Sequence, residues 1–175
     1  AVAAADRLRD LVPNSGHMVH MPSHIYARIG RWQDAEAANV RASRADAAYR
    51  AKHPRPGFYA MYMAHNAHFL AYTEMMQGES ADAIRHARQM VQDIPEDFLR
   101  DFGPVADGFL IFPSEVLMRF GKWEELLAEP ERMIGTVLLG NTLVDVLAAA
   151  LASKVAVDMV GEVGVAYATG MVTLL

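Results

Sequence analysis

MPSHIYARIGRWQDA (residues 21–35) and FPSEVLMRFGKWEEL (residues 112–126) share five residues at one offset. Pro22/Pro113, Ser23/Ser114, Arg28/Arg119, Gly30/Gly121 and Trp32/Trp123 are each 91 positions apart. A third stretch, HFLAYTEMMQGESADA (68–83), sets Gly78 at the same point and ends in Ala83 where the first ends in Ala35. In each, a helical pattern runs up to a glycine, turns, and a second helix opens on an aromatic or small residue. Five identities at a single offset favour a repeat over an irregular bundle with coincidental turns. The copies are spaced by 48 and 43 residues, and HPRPG (53–57) and the stretch around Phe102-Gly103-Pro104 read as elongated connections between them.

This helix–turn–helix register resembles the tetratricopeptide repeat, with its turn glycine, small packing residues and closing proline (here Pro95), over roughly residues 10–127. The segments GHMVHMPSHIYARIGRW (16–32) and AHNAHFL (64–70) are similar to a bacterial subgroup of such proteins. A helix pair of this kind cannot bury its apolar stripe alone, so neighbours stack into a solenoid with a concave face. The expected fold is therefore all-α, a degenerate tetratricopeptide-like α-solenoid over residues 1–127. The resemblance implies a protein or peptide held in the concave groove, and a binder rather than an enzyme.

The bulk numbers bound other functions. At 175 residues the chain accommodates one cored domain, or a small domain plus a membrane hairpin. A net charge of −5 without a basic stripe argues against nucleic acid. With no cysteine there is no disulfide framework, Cys-ligated zinc or thiol nucleophile. No phosphate loop, nucleophile elbow or H-E-x-x-H motif is present. Ser23 and Ser114 each follow a proline, which suits a helix start better than a nucleophile. Tyr59, Tyr62 and Tyr72, with Met61, Met63, Met75 and Met76, sit at helical spacings and read as core; Glu74 and Asp46 are acid–base candidates that nothing singles out.

Five of the seven histidines fall in two clusters, His17, His20 and His24, then His65 and His68. His17/His65 and His20/His68 are each 48 apart, the offset that relates Gly30 to Gly78, so two H-x-x-H pairs occupy equivalent positions. Residues three apart share a helix face. The sequence therefore points to a metal site of His17, His20, His65 and His68, with His24 or Glu115 as further ligands. Imidazole with a carboxylate suits a divalent transition metal in an open site more than a closed structural zinc. Against this stands a plainer reading, in which the imidazoles hydrogen-bond across a helix interface. Pro22 either interrupts one helix or opens a new one, which would leave His17 and His20 on a preceding turn.

The tail is of another kind. MIGTVLLGNTLVDVLAAALA (133–152) holds one charge, Asp145, and as a helix would be about 30 Å long, enough to cross a bilayer core. Its nine Leu, Ile and Val residues favour insertion by about 3–5 kcal/mol, while a central Asp opposes it by about 2.5–3.5. Asp145 must then face a partner helix or polar cavity, and Asn141 shares its face. PERMIG (130–135), LLGNTLV (138–144) and GEVGVAYATG (161–170) make the segment from about residue 129 to 175 resemble the transmembrane domain of the CNNM/CorC family. That resemblance implies a truncated transmembrane-type hairpin (128–175) associated with magnesium and other divalent cations, with Asn141 and Asp145 in the ion pathway. Asn is usual in the family where Asp145 stands here.

LLAEPERMIG (126–135) suits both halves, so the chain reads as a chimera, natural or artefactual, cut at both ends and without a visible signal peptide. It is expected at a membrane where the tail belongs to it and in the cytoplasm otherwise.

Overall fold

The computed structural model describes residues 1–128 and Lys154. The chain divides into two units, Ala1–Ala128 and Glu129–Leu175. The expected apolar hairpin, with Asn141 and Asp145, lies outside the described residues. Among the described residues the structure is all-helical, and no helix is long and apolar enough to cross a membrane.

The first unit runs α1 (Val2–Leu8), α2 (Gly16–His20), α3 (Pro22–Arg28), α4 (Trp32–Lys52), α5 (Tyr59–Gln77), α6 (Ser80–Asp93), α7 (Glu96–Arg119) and α8 (Trp123–Leu127). Three of its turns are the same turn. Gly30, Gly78 and Gly121 have φ of 77°, 83° and 65°, the left-handed region where a side chain is strained. One residue later, Arg31, Glu79 and Lys122 each donate a backbone N–H to the carbonyl five residues back, on Tyr26, Glu74 and Leu117, at 2.9, 3.0 and 2.9 Å. That 6→1 bond closes a helix C-terminus and ties up its orphan carbonyl. The next helix opens with Ala35, Ala83 and Leu126, all buried, donating back to Arg31, Glu79 and Lys122.

Small residues let the helices close up. On α4, Ala35, Ala38 and Ala42 are buried on one face, and on α6 Ala83, Ala87 and Met90 repeat the pattern. Helix α5 packs against α4, α6 and α7 and also touches α2. The core falls into three groups. Ala5, Tyr26 and Ala35 pack together near the N-terminus. Ala71, Ala83, Ala87, Met90, Phe112 and Val116 form a second, and Ala60, Ala64, Ile94, Phe98 and Ala106 a third.

The prolines depart from the expectation in one place and resolve it in another. HPRPG is a connection, but Phe102-Gly103-Pro104 is not: α7 continues through it with a kink at Phe102 (φ −135°, ψ 27°). Pro104 removes one helical hydrogen bond and crowds the preceding turn. The helix resumes because Phe98 is buried and Phe102 packs on it and on Phe58, at ring distances of 5.3 and 5.4 Å. Pro22 opens α3, but Met21 before it keeps helical angles (φ −50°, ψ −37°), so α2 and α3 run on almost in line. Its counterpart Pro113 lies inside α7. Of the residues read as core, Met63 is buried and Met76 is exposed, while Tyr59, Tyr62 and Tyr72 are half-buried beside polar groups.

Gly78→Ala places a Cβ on left-handed backbone and should lower unfolding free energy by about 1–2 kcal/mol. Gly108→Ala, in regular helix with open space around its Cβ position, should raise it by about 0.5–1 kcal/mol. Urea titrations of the two variants check the contrast.

Candidate metal centre

His20 and His24 stand one turn apart across the α2–α3 junction, and α5 brings His65 against them. One nitrogen from each of His20, His24 and His65 lies within 4.8 Å of the other two. His20 Nε2 and His24 Nε2 are 2.9 Å apart. A tetrahedral ion with metal–nitrogen bonds of about 2.0–2.1 Å holds its nitrogens about 3.3 Å apart, so modest ring rotations would bring all three into ligand range.

The tautomer of His20 is set from behind. Asn39 on α4 donates its amide N–H to the Ala35 carbonyl at 2.7 Å, which turns its Oδ1 toward His20. His20 Nδ1 donates to that oxygen at 2.6 Å, leaving the Nε2 lone pair directed at His24. A ring held through its far N–H by an amide oxygen is the usual support of a metal-binding histidine. Ser23 Oγ lies 3.4 Å from His20 Nδ1 and is fully buried.

The remaining sequence-selected residues flank this trio. His17 stacks on His20 at 5.6 Å between ring centres and tilts against Tyr62 at 4.5 Å. Its Nδ1 is buried without a partner. His68 instead packs on Phe112, ring centres 4.0 Å apart, and on Phe109 at 6.0 Å. Glu115, at an exposed position on α7, is not among the converging groups. His17 and its repeat equivalent His65 have ring centres 6.0 Å apart, but His68 packs on Phe112 instead, so the paired H-x-x-H motifs do not close on a single point. One repeat's His20 and His24 meet the next repeat's His65.

Burial keeps these rings neutral. It holds His20 down to about 3, its bond to Asn39 opposing this only in part. Burial first, then neighbouring imidazoles, bring His65 and His68 to about 4. His24 is lowered by burial and by His17. At neutral pH all four are uncharged, the form a metal requires.

Glu74 and Asp46, named in the sequence without being singled out, hold two further buried polar sites. Glu74, 2% exposed, takes Nδ1–H of His86 at 2.6 and 2.8 Å between α5 and α6. Asp46 accepts from Asn66 at 2.8 Å and from Tyr59 at 3.3 Å, and burial raises its carboxyl despite those bonds. Its Oδ1 sits 2.0 Å from where a Cβ on Gly16 would be, which fixes that position as glycine. Asp46 also borders a cavity of about 530 Å³ with Arg50 and Asp93, whose charges face each other at 3.9 Å.

Comparison with known proteins bears on the other end of the chain. Residues 119–175, 57 of the 175 positions, match the family described as the cyclin M transmembrane N-terminal domain, CNNM. The match begins ahead of the point from which the sequence resemblance was read. The UPF0053 inner membrane protein YfjD of Escherichia coli is 48% identical over 52 residues, 30% of this chain and 12% of that protein. A UPF0053 protein of Haemophilus influenzae is 37% identical over 54 residues, 31% of this chain and 13% of that protein. The chain thus spans about an eighth of the length of these curated relatives. No solved structure matches it. The tetratricopeptide resemblance has no support in these matches.

Unfolded histidines take up protons near pH 6.5, and the folded ones wait until about pH 4 to 3. Between those values the unfolded state binds more protons, so stability falls as pH falls. His20 alone, fully buried, contributes a slope of up to about 1.4 kcal/mol per pH unit. Thermal unfolding of the metal-free protein at pH 7.5, 6 and 5 should show a steady drop in Tm. His20→Gln should flatten that drop.

Proposed function

We propose that the helical unit binds a divalent transition metal through His20, His24 and His65 on a tetratricopeptide-like scaffold. The observation that carries this is the approach of three imidazole nitrogens to within 4.8 Å of one another, one of them oriented by Asn39. Three neutral imidazoles leave a tetrahedral ion an open fourth position, as catalytic and exchange sites require. Zinc, copper, nickel, cobalt and ferrous iron are all compatible with such a set. His17, whose Nδ1 has no partner, stands beside the trio as a fourth nitrogen.

Cobalt(II) titration of the full chain tests this by its d–d absorption, which distinguishes tetrahedral nitrogen coordination from the aqueous ion. His24→Ala and His65→Ala should abolish the spectrum. Asn39→Ala should weaken binding about 10–100-fold while leaving the ligands in place. His68→Ala should bind as the parent does. Unchanged binding in His65→Ala, with helicity retained, would remove the site.

A second reading concerns residues 119–175. Its 48% identity to an inner membrane protein supports a membrane-associated segment from a divalent-cation-transport type of domain, with Asn141 and Asp145 in its ion pathway. Joined to a metal-holding helical unit, it would place a cation-binding module at a membrane, with a protein or peptide partner in the groove. Resistance of the expressed chain to alkaline carbonate extraction is the expected result; a fully soluble full-length monomer would overturn it. Continuity is checked by sequencing genomic DNA across the codons for residues 123–137 in one read.

A further inference from the structure

Beside the imidazole trio, and sharing His24 with it, lies a cavity of about 440 Å³ whose other lining includes Arg28, Trp32, His68, Phe69 and Tyr72. Three aromatic side chains make its wall continuous. Trp32 and Tyr72 meet edge-on at 6.2 Å between ring centres, Tyr72 and Phe69 at 5.5 Å, and Phe69 meets His24 at 4.6 Å. They come from different parts of the chain. Trp32 opens α4 just past the Gly30 turn, while Phe69 and Tyr72 share a face of α5.

The charges are one-sided. Among the described residues, Arg28, exposed at the end of α3, is the one Lys, Arg, Asp or Glu in the lining. His24 and His68 add imidazole edges to the lining. A volume in this range holds a small ligand, and apolar walls with a few directed polar groups are how such ligands are held. Flat aromatic walls select a flat apolar body. The guanidinium fork selects a carboxylate at one end. A quaternary ammonium would suit the aromatic wall but would meet Arg28 as a like charge. A doubly charged phosphate would find a single cation.

We infer that this cavity binds a small aromatic monocarboxylate, its ring against Trp32, Phe69 and Tyr72 and its carboxylate on Arg28. The inference goes beyond the metal reading and stands without it, because none of these four residues belongs to the imidazole trio.

Phenylacetate is the probe, titrated into the full chain carrying Trp123→Phe, so that Trp32 is the one fluorophore of its kind. Benzyl alcohol, benzyltrimethylammonium and inorganic phosphate serve as comparison ligands. Saturable quenching by phenylacetate at least tenfold tighter than by any of the three is expected. Arg28→Gln, at an exposed position that should not disturb folding, should remove that tenfold advantage and leave benzyl alcohol unaffected. Tyr72→Ala should weaken phenylacetate and benzyl alcohol together. Equal binding of phenylacetate and benzyl alcohol, tighter binding of the ammonium or of phosphate, or no effect of Arg28→Gln would each overturn the inference. Repeating the titration with EDTA and with cobalt(II) separates it from the metal reading: loss of the cobalt spectrum in His65→Ala concerns the trio, and loss of the Arg28 effect concerns the cavity.

Discussion

At Gly30, Gly78 and Gly121 the backbone reverses through positive φ and is locked by the same five-residue-back hydrogen bond. Those turns settle which helix faces meet. Each joins a helix with a buried residue near its end, Tyr26, Glu74 or Leu117, to one with a buried residue near its start, Ala35, Ala83 or Leu126, and Tyr26 packs with Ala35. A residue with a Cβ at the turn would pay strain of about 1–2 kcal/mol and would loosen the angle between the paired helices. The first turn is the one on which both candidate sites depend. It follows α3, which carries His24 and Arg28, and directs α4, which carries Trp32 and Asn39, back along the same helices.

From that geometry comes an electrostatic consequence. Bringing His17, His20, His24 and His65 together in a buried interface would be prohibitive if the rings were charged, because like charges at 4–6 Å repel and burial penalises each one. Burial keeps His20, His24 and His65 neutral, with Asn39 accepting from His20, the deepest. Each neutral imidazole brings one donor and one acceptor, so the rings must be ordered to pair. His20 and His24 meet nitrogen to nitrogen, and His17 Nδ1 is left unbonded. An interface that needed only packing would fill this space with apolar residues at less cost.

The three turns were legible because glycine at left-handed φ is a local requirement, readable at offsets of 48 and 43. Local reading failed where the outcome rests on packing. Pro104 looked like a break, yet buried Phe98 and the ring contacts of Phe102 hold α7 together across it. The histidines were legible as a cluster, but not as the set that converges. Spacing three apart drew attention to the H-x-x-H pairs, whereas the helical junction at Pro22 favours His20 with His24, and the stacking step brings in His65. Asn39 carries no motif at all; an asparagine in an alanine-rich helix acquires meaning only when the neighbouring helix delivers His20 to it.

The match to the CNNM family begins at Arg119, within the repeat pattern, since the turn at Gly121 and the pair Lys122-Trp123 belong to both. A join that respected independent folding would fall between cooperative units, in exposed and polar chain. Here residues 119–126 contribute a buried leucine, Leu126, to the helical unit while also falling inside the family match. Removing everything matched to the family would strip the third turn from the helical unit and expose the faces of Val116 and Leu117, which are buried now. The helical unit therefore needs part of the matched segment for its own core.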